Sequence, residues 1–174
     1  MSQVRNELLQ VREADGGVWT KTSMQSMVRT DAILRESLRL SGFFSSILGR
    51  IVVAKGGITT PDGLHIKQGN RIAVAAALTH LSPKHYSDPE TFVPLRFLGE
   101  SNLVDTSLTF LGFSHGRHAC PGRFFAANEL KLFLAYIATY YEFEPLAERP
   151  QPLSMGSFLA ANPTATIRVR RRKE

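Results

Sequence analysis

The sequence is poor in several things, and each shortage excludes something. It holds one cysteine in 174 residues, which rules out an internal disulfide framework and a cysteine-rich zinc site. It has no run of about 18 apolar residues, so nothing in it reads as a membrane-spanning helix. Its opening, Met-Ser-Gln-Val-Arg-Asn-Glu, is polar and charged and lacks the apolar core of a secretory signal. No internal repeat or low-complexity linker is present. His65, His80 and His85 are too scattered for a compact metal set and read as surface or internally satisfied histidines. The body of the chain also lacks a charge bias. Of the net charge of +6, five of the 21 basic residues are Arg168, Arg170, Arg171, Arg172 and Lys173. Residues 1–167 carry 16 basic and 14 acidic side chains and stand at +2. Such a tail is a solvated strand end or a contact for phosphate or an anionic membrane. No interleaved aromatics or nucleic-acid motif accompany it, so no nucleic-acid partner is expected.

What is there is an ordinary globular composition, 43% hydrophobic and 21% charged, on a chain long enough to bury one core. Residues 2–13 place Val4, Leu8 and Val11 on one helical face, and Asp15-Gly-Gly stops the pattern. A short helical piece follows Trp19. Residues 27–40 form a stronger helix, with Val28, Ile33, Leu34, Leu38 and Leu40 as its apolar positions. Residues 50–78 read as short strands broken by turns, ending in a strand from Arg71 to Leu78. Residues 98–112 form a polar loop. A long helix then opens at Pro121, with Phe125, Leu130, Phe133, Leu134, Ile137 and Tyr141 recurring at helical spacing. A last strand is expected over 164–170.

The stretch that organises the chain is 113–122, Phe-Ser-His-Gly-Arg-His-Ala-Cys-Pro-Gly. Glycines 112 and 116 allow a tight turn and close approach to a flat ligand. Cys120 is expected at the N-terminus of the following helix, where the dipole favours a thiolate. Arg117 and His118 flank it as bases for an anionic partner. A lone cysteine is more often a small buried hydrophobe; the glycine-rich loop with its flanking bases adds weight to a metal-ligating role and leaves both readings open. Upstream, Glu36 and Arg39 are three apart, share a helix face, and can pair.

Phe113, Gly116, Cys120 and Gly122 match, in order and spacing, the Phe-x-x-Gly-x-x-x-Cys-x-Gly haem-binding signature of the cytochrome P450 superfamily, which this sequence resembles. Glu36 and Arg39, within Leu-Arg-Glu-Ser-Leu-Arg-Leu, match its Glu-x-x-Arg motif, and Arg96 stands where the family's meander arginine completes a buried triad. Many members carry arginine where His118 stands, and a histidine there can still donate to a haem propionate. Arg50, eleven residues past Arg39, lies where the family places a propionate-binding arginine at a strand start; otherwise it is a solvated strand-edge residue. The family's usual prolines between these arginines are replaced by Ser-Gly-Phe-Phe-Ser-Ser.

The resemblance implies a mainly α fold with a small β region (α+β), namely the C-terminal, proximal haem-binding part of the cytochrome P450 fold, with 1–174 as one partial domain. The family's Ala/Gly-Gly-x-Asp/Glu-Thr oxygen-binding helix and its N-terminal anchor do not occur in the sequence. It further implies haem b held by Cys120 as axial ligand, with Arg50, Phe113, Gly116, His118 and Gly122 lining the cofactor and Glu36, Arg39 and Arg96 as structural support. One oxygen atom of O2 would enter a small organic substrate. Electrons would come from an NADPH-dependent flavoprotein reductase on the proximal face, near Arg117 and Arg123. Phe158 or Leu159 would face substrate. The wording Gly-Arg-His-Ala-Cys-Pro-Gly-Arg-Phe-Phe resembles fungal microsomal members of secondary metabolism, whose full-length forms are endoplasmic-reticulum membrane proteins. The alternative is a truncated or split product that binds haem weakly or not at all.

Overall fold

A computed structural model describes residues 2–173. Helix α1 (Ser2–Ala14) ends at Gly16 and Gly17, both with positive φ, as glycine allows. After the short α2 (Lys21–Gln25), closed by a Thr20–Ser23 capping box, comes α3 (Val28–Leu40). Met27 offers α3 no side-chain cap. Glu7 of α1 supplies it instead, accepting the Arg29 and Thr30 amides at 2.8 and 2.9 Å and the Thr30 hydroxyl at 2.8 Å. A carboxylate there both satisfies orphan N–H groups and faces the positive helix end.

Among the described residues, four two-stranded antiparallel ladders follow: β1 (Ile47–Ile51) with β4 (Arg71–Val74), β2 (Ile58–Thr59) with β3 (His65–Ile66), β5 (Tyr141–Phe143) with β8 (Val169–Arg171), and β6 (Leu153–Met155) with β7 (Phe158–Ala160). β1 begins three residues before Arg50 and carries a bulge between Ile47 and Arg50, where Leu48 has φ +56°. The expected strand from Arg71 to Leu78 stops at Val74; Ala76–His80 is helix α4 instead. Alanine has the strongest helix propensity, and the run Ala75–Ala77 follows it. The last strand also starts late, at Val169, because Asn162 draws the Thr164 amide and hydroxyl into a turn at 3.0 and 2.8 Å.

The long helix α5 (Arg123–Tyr140) packs on α1, α2 and α3. Its buried face is Ala127, Lys131, Ala135 and Ala138, not the large apolar residues that spacing singles out. Phe125 is 73% exposed and Phe133 62%. Small side chains let the helices approach closely, and Val4, Leu8 and Met27 fill the seam. A second cluster, Ala32, Tyr86, Phe97 and Phe110, lies on the other side of α3.

α3 inverts the usual rule. Val28 is exposed, and Ile33, Leu34, Leu38 and Leu40 are only half-buried. Thr30, Asp31, Arg35, Glu36 and Arg39 are buried, and each has a fixed partner. Asp31 pairs with Lys131 of α5 and accepts the Leu103 amide. Arg35 donates through Nη1 to the carbonyls of Asn102 and Asp105 and lies 3.6 Å over the Phe110 ring. Buried charge is tolerable where it is paired and hydrogen-bonded. No helix among the described residues is long and apolar enough to cross a membrane.

Candidate functional site

The cysteine loop joins the Phe110 cluster to α5, and three local features shape it. Gly112 lies against α3 so closely that a Cβ there would fall 2.6 Å from Leu38 Cδ2, so any side chain there would force Leu38 to move. Gly116 turns with φ +67° into a single 3₁₀ turn over Gly116–His118, closed by the Ala119 amide on the Gly116 carbonyl at 3.0 Å. The Cys120 amide then donates back to the Phe113 carbonyl at 2.8 Å, closing the loop on itself. Arg123 donates from Nη1 to the Cys120 carbonyl at 2.9 Å and stacks over Phe124, tying the loop to α5. His115 Nδ1 meets the Thr106 hydroxyl at 3.0 Å and holds the outer arm.

Cys120 is half-buried, and no hydrogen bond to its sulfur occurs among the described residues. Arg117 and His118 are exposed, and neither side chain makes a hydrogen bond there. Pro121 is not the first helical residue: α5 starts at Arg123 with Gly122 at its N-cap, so Cys120 stands two residues outside the cap. A Cβ on Gly122 would sit 4.0 Å from the sulfur.

The structure brings Glu36, Arg39 and Arg96 together. Arg39 grips Glu36 with Nε and Nη2, both at 2.8 Å, and Arg96 Nε reaches the same carboxylate at 3.2 Å. The Val93 amide adds a fourth bond at 3.0 Å. All five Arg39 N–H groups find acceptors: the two carboxylate oxygens and the carbonyls of His80, Pro89 and Thr91. Arg96 spends its remaining donors on Ser87, Asp88 and Thr91 carbonyls. Burial pushes the Glu36 carboxyl upward, but the bonds from Arg39, Val93 and Arg96 outweigh it and leave it below the ordinary carboxylate value.

Arg50 is not brought to the loop: it is exposed, and its Nη1 bonds only the neighbouring Gly49 carbonyl. A cavity of about 530 Å³ opens beside β1 and β4, lined by Phe44, Ile47, Leu48, Gly49, Arg71 and Ala73 among others; no residue of the cysteine loop lines it. Phe158 meets Phe44 edge-to-face at 5.7 Å, and Leu159 donates its amide to the Phe43 carbonyl at 2.7 Å. In the basic tail, Arg170 and Arg172 pair with Glu142 and Arg168 with Glu144.

Several residues that build this frame are not evident from motif reading. Glu7 is one, although its position as the single acid on the Val4–Leu8–Val11 face is a signal. Lys131, a lone cation inside Leu-Lys-Leu-Phe, is another. His80, which the sequence offers as a surface or internally satisfied histidine, is the latter: it is 4% exposed and bonded through both ring nitrogens.

A cysteine loop closed on its own carbonyl, beside a buried Glu–Arg–Arg cluster, defines a class that comparison identifies. The chain belongs to the cytochrome P450 family, whose sequence model matches residues 1–169. It is 38% identical over 184 aligned positions to cytochrome P450 monooxygenase 151 of Postia placenta, covering 99% of this chain and 36% of that protein. It is 40% identical over 180 positions to cytochrome P450 monooxygenase ausG of Emericella nidulans, covering 99% and 33%. The fold resembles the retinoic acid-bound cyanobacterial CYP120A1 (TM-score 0.78, 22% identity, 98% of this chain and 39% of that one). It also resembles a zebra fish cytochrome P450 with abiraterone (TM-score 0.77, 25% identity, 99% and 40%). The chain spans about a third of the length of the curated relatives it matches.

Proposed function

We propose that this chain is the C-terminal, haem-binding part of a cytochrome P450 monooxygenase, with Cys120 as the thiolate ligand of the haem iron. The observation that carries this reading is the closed loop around a half-buried Cys120, whose sulfur takes no hydrogen bond among the described residues. The donor set fits the cofactor: a single soft thiolate suits iron porphyrin. His118, exposed and with no side-chain hydrogen bond among the described residues, is available to a carboxylate of haem b. Gly122 lies beside the sulfur, the Phe113 carbonyl accepts the Cys120 amide, Gly116 sets the turn, and the Glu36–Arg39–Arg96 cluster would support the haem-facing segment. Arg50 would need to leave the Gly49 carbonyl to reach a propionate.

Bound haem supplies the activation of O2 and the transfer of one oxygen atom to a small organic substrate. This chain's loop would hold the Cys120 sulfur toward the iron, and His118 would donate to a propionate. Arg117 lies free at the loop surface for an acidic NADPH-dependent flavoprotein reductase, while Arg123 is already engaged by the Cys120 carbonyl. One observation favours the alternative, a product that binds haem weakly or not at all: Phe124, Phe125, Leu132, Phe133 and Tyr136 of α5 lie at least 44% exposed. An equilibrium titration of the chain with haem tests both. The proposal expects saturation at one haem per chain with affinity lost in Cys120→Ser. Equal binding by wild type and variant, or no saturable binding, contradicts it.

A further inference from the structure

We infer that His80 is a positioning residue for the Cys120 loop: its imidazole locks the C-terminal end of α3 to the segment that enters the loop. His80 is the last residue of α4 and is buried. Nδ1 lies 3.1 Å from the Arg39 carbonyl, and Nε2 lies 2.8 Å from the Leu111 amide nitrogen. An amide N–H can only donate, so Nε2 is the acceptor and the proton sits on Nδ1, which donates to Arg39. One neutral tautomer satisfies both partners. The Arg39 side chain returns the contact, donating from Nη1 to the His80 carbonyl at 2.7 Å. The ring also stacks on Phe110 at 5.5 Å.

What this holds is the approach to the thiolate. Leu111 is two residues from Phe113, whose carbonyl accepts the Cys120 amide, and the Leu111 carbonyl accepts the Ser114 amide at 2.9 Å. Gly112, between them, is pressed on Leu38 of α3. The loop is therefore pinned to the Glu36–Arg39 helix at two adjacent points, one of them through the imidazole. Protonating Nε2 would set two N–H groups against each other and release one point. Burial already opposes the added charge; Arg39 and Arg35, both on α3, are the cations that face the ring, and Phe110 and Leu111 bring no charge.

This inference deepens the reading of Cys120 as haem ligand, and its test does not need haem. Amide hydrogen exchange is measured in the 174-residue chain as wild type, His80→Leu and His80→Gln. Leaving the Leu111 amide unpaired in His80→Leu is expected to speed exchange at Leu111 and at Cys120 by about tenfold or more. Exchange at Ala135 and Ala138, in the other core cluster, stays within about threefold of wild type. His80→Gln, whose side-chain oxygen can accept the Leu111 amide, restores most of the protection. Unchanged exchange at Cys120, or equal acceleration at Ala135 and Ala138, overturns the inference. If His80→Leu does not fold, wild type carries the test. The Leu111 and Cys120 amide resonances should then shift with one shared midpoint below the ordinary histidine range, and independent or absent titration overturns the inference. In the haem-loaded chain, His80→Leu should also lose part of the thiolate-type reduced carbon-monoxide band that His80→Gln keeps. Failure of Cys120 to bind haem would leave the exchange result standing, so the two claims fail separately.

Discussion

Removing the Glu36 carboxylate is the most severe single perturbation the frame allows. Its side chain is 0% exposed and accepts four hydrogen bonds, two from Arg39, one from Arg96 and one from the Val93 amide. Glu36→Gln keeps the shape but leaves Arg39, also 0% exposed at its side chain, without a counter-charge. Stranding a buried charge in this way costs about 3–5 kcal/mol. For a chain of this size that lowers Tm by about 6–20 °C, since each kcal/mol shifts it by about 2–4 °C. The cost is a large share of a total stability of about 5–15 kcal/mol. The assay is urea unfolding of wild type, Glu36→Gln, Arg39→Met and the Glu36→Met/Arg39→Met pair. Because the loss comes from the stranded partner, the double apolar variant should cost less than the two singles added together. Acid should act in the same direction. Glu36 titrates below its unfolded value, so its stabilisation is complete above the ordinary carboxylate pKa. It fades as pH falls through the depressed folded value, and Glu36→Gln should flatten that limb. A cost below about 1 kcal/mol, the worth of an exposed pair, would refute the argument.

His80 gives a second pH signature. Its folded pKa is lowered to about 4, so the neutral form stabilises the fold fully above the unfolded value near 6.5. The stability falls by about 3 kcal/mol as pH drops from there to about 4, and unfolding at stepped pH should lose this slope in His80→Gln. Gly112→Ala drives a methyl into Leu38 and should cost about 1–3 kcal/mol, partly recovered by Leu38→Ala; equal stability would place the loop differently. The bare apolar face of α5 predicts self-association at micromolar concentration, reduced by Phe125→Ser and Phe133→Ser; a monodisperse wild-type monomer in size-exclusion chromatography contradicts it.

The parts of the site that follow from motif spacing were legible in the sequence. Glu36, Arg39 and Arg96 meet across sixty residues of chain, and the 113–122 stretch folds as one closed turn. Burial was much less legible, for two physical reasons. α5 is apolar nearly all round, so helical periodicity offers several faces and cannot say that the alanine face is the one packed. α3 buries charge, and that is stable only because partners such as the Asn102 and Asp105 carbonyls and Lys131 arrive from distant segments. Short elements set by local competition, such as the alanine run that becomes α4 and the Asn162 turn that delays β8, fell below what patterning resolves.

The central claim is that Cys120 ligates iron, and the reduced, carbon-monoxide-bound absorption spectrum of the haem-loaded chain tests it most directly. The account predicts a strongly red-shifted Soret band in wild type that is absent in Cys120→Ser. A band of the same position in both, or a wild-type band without the red shift, would show that the sulfur is not the ligand.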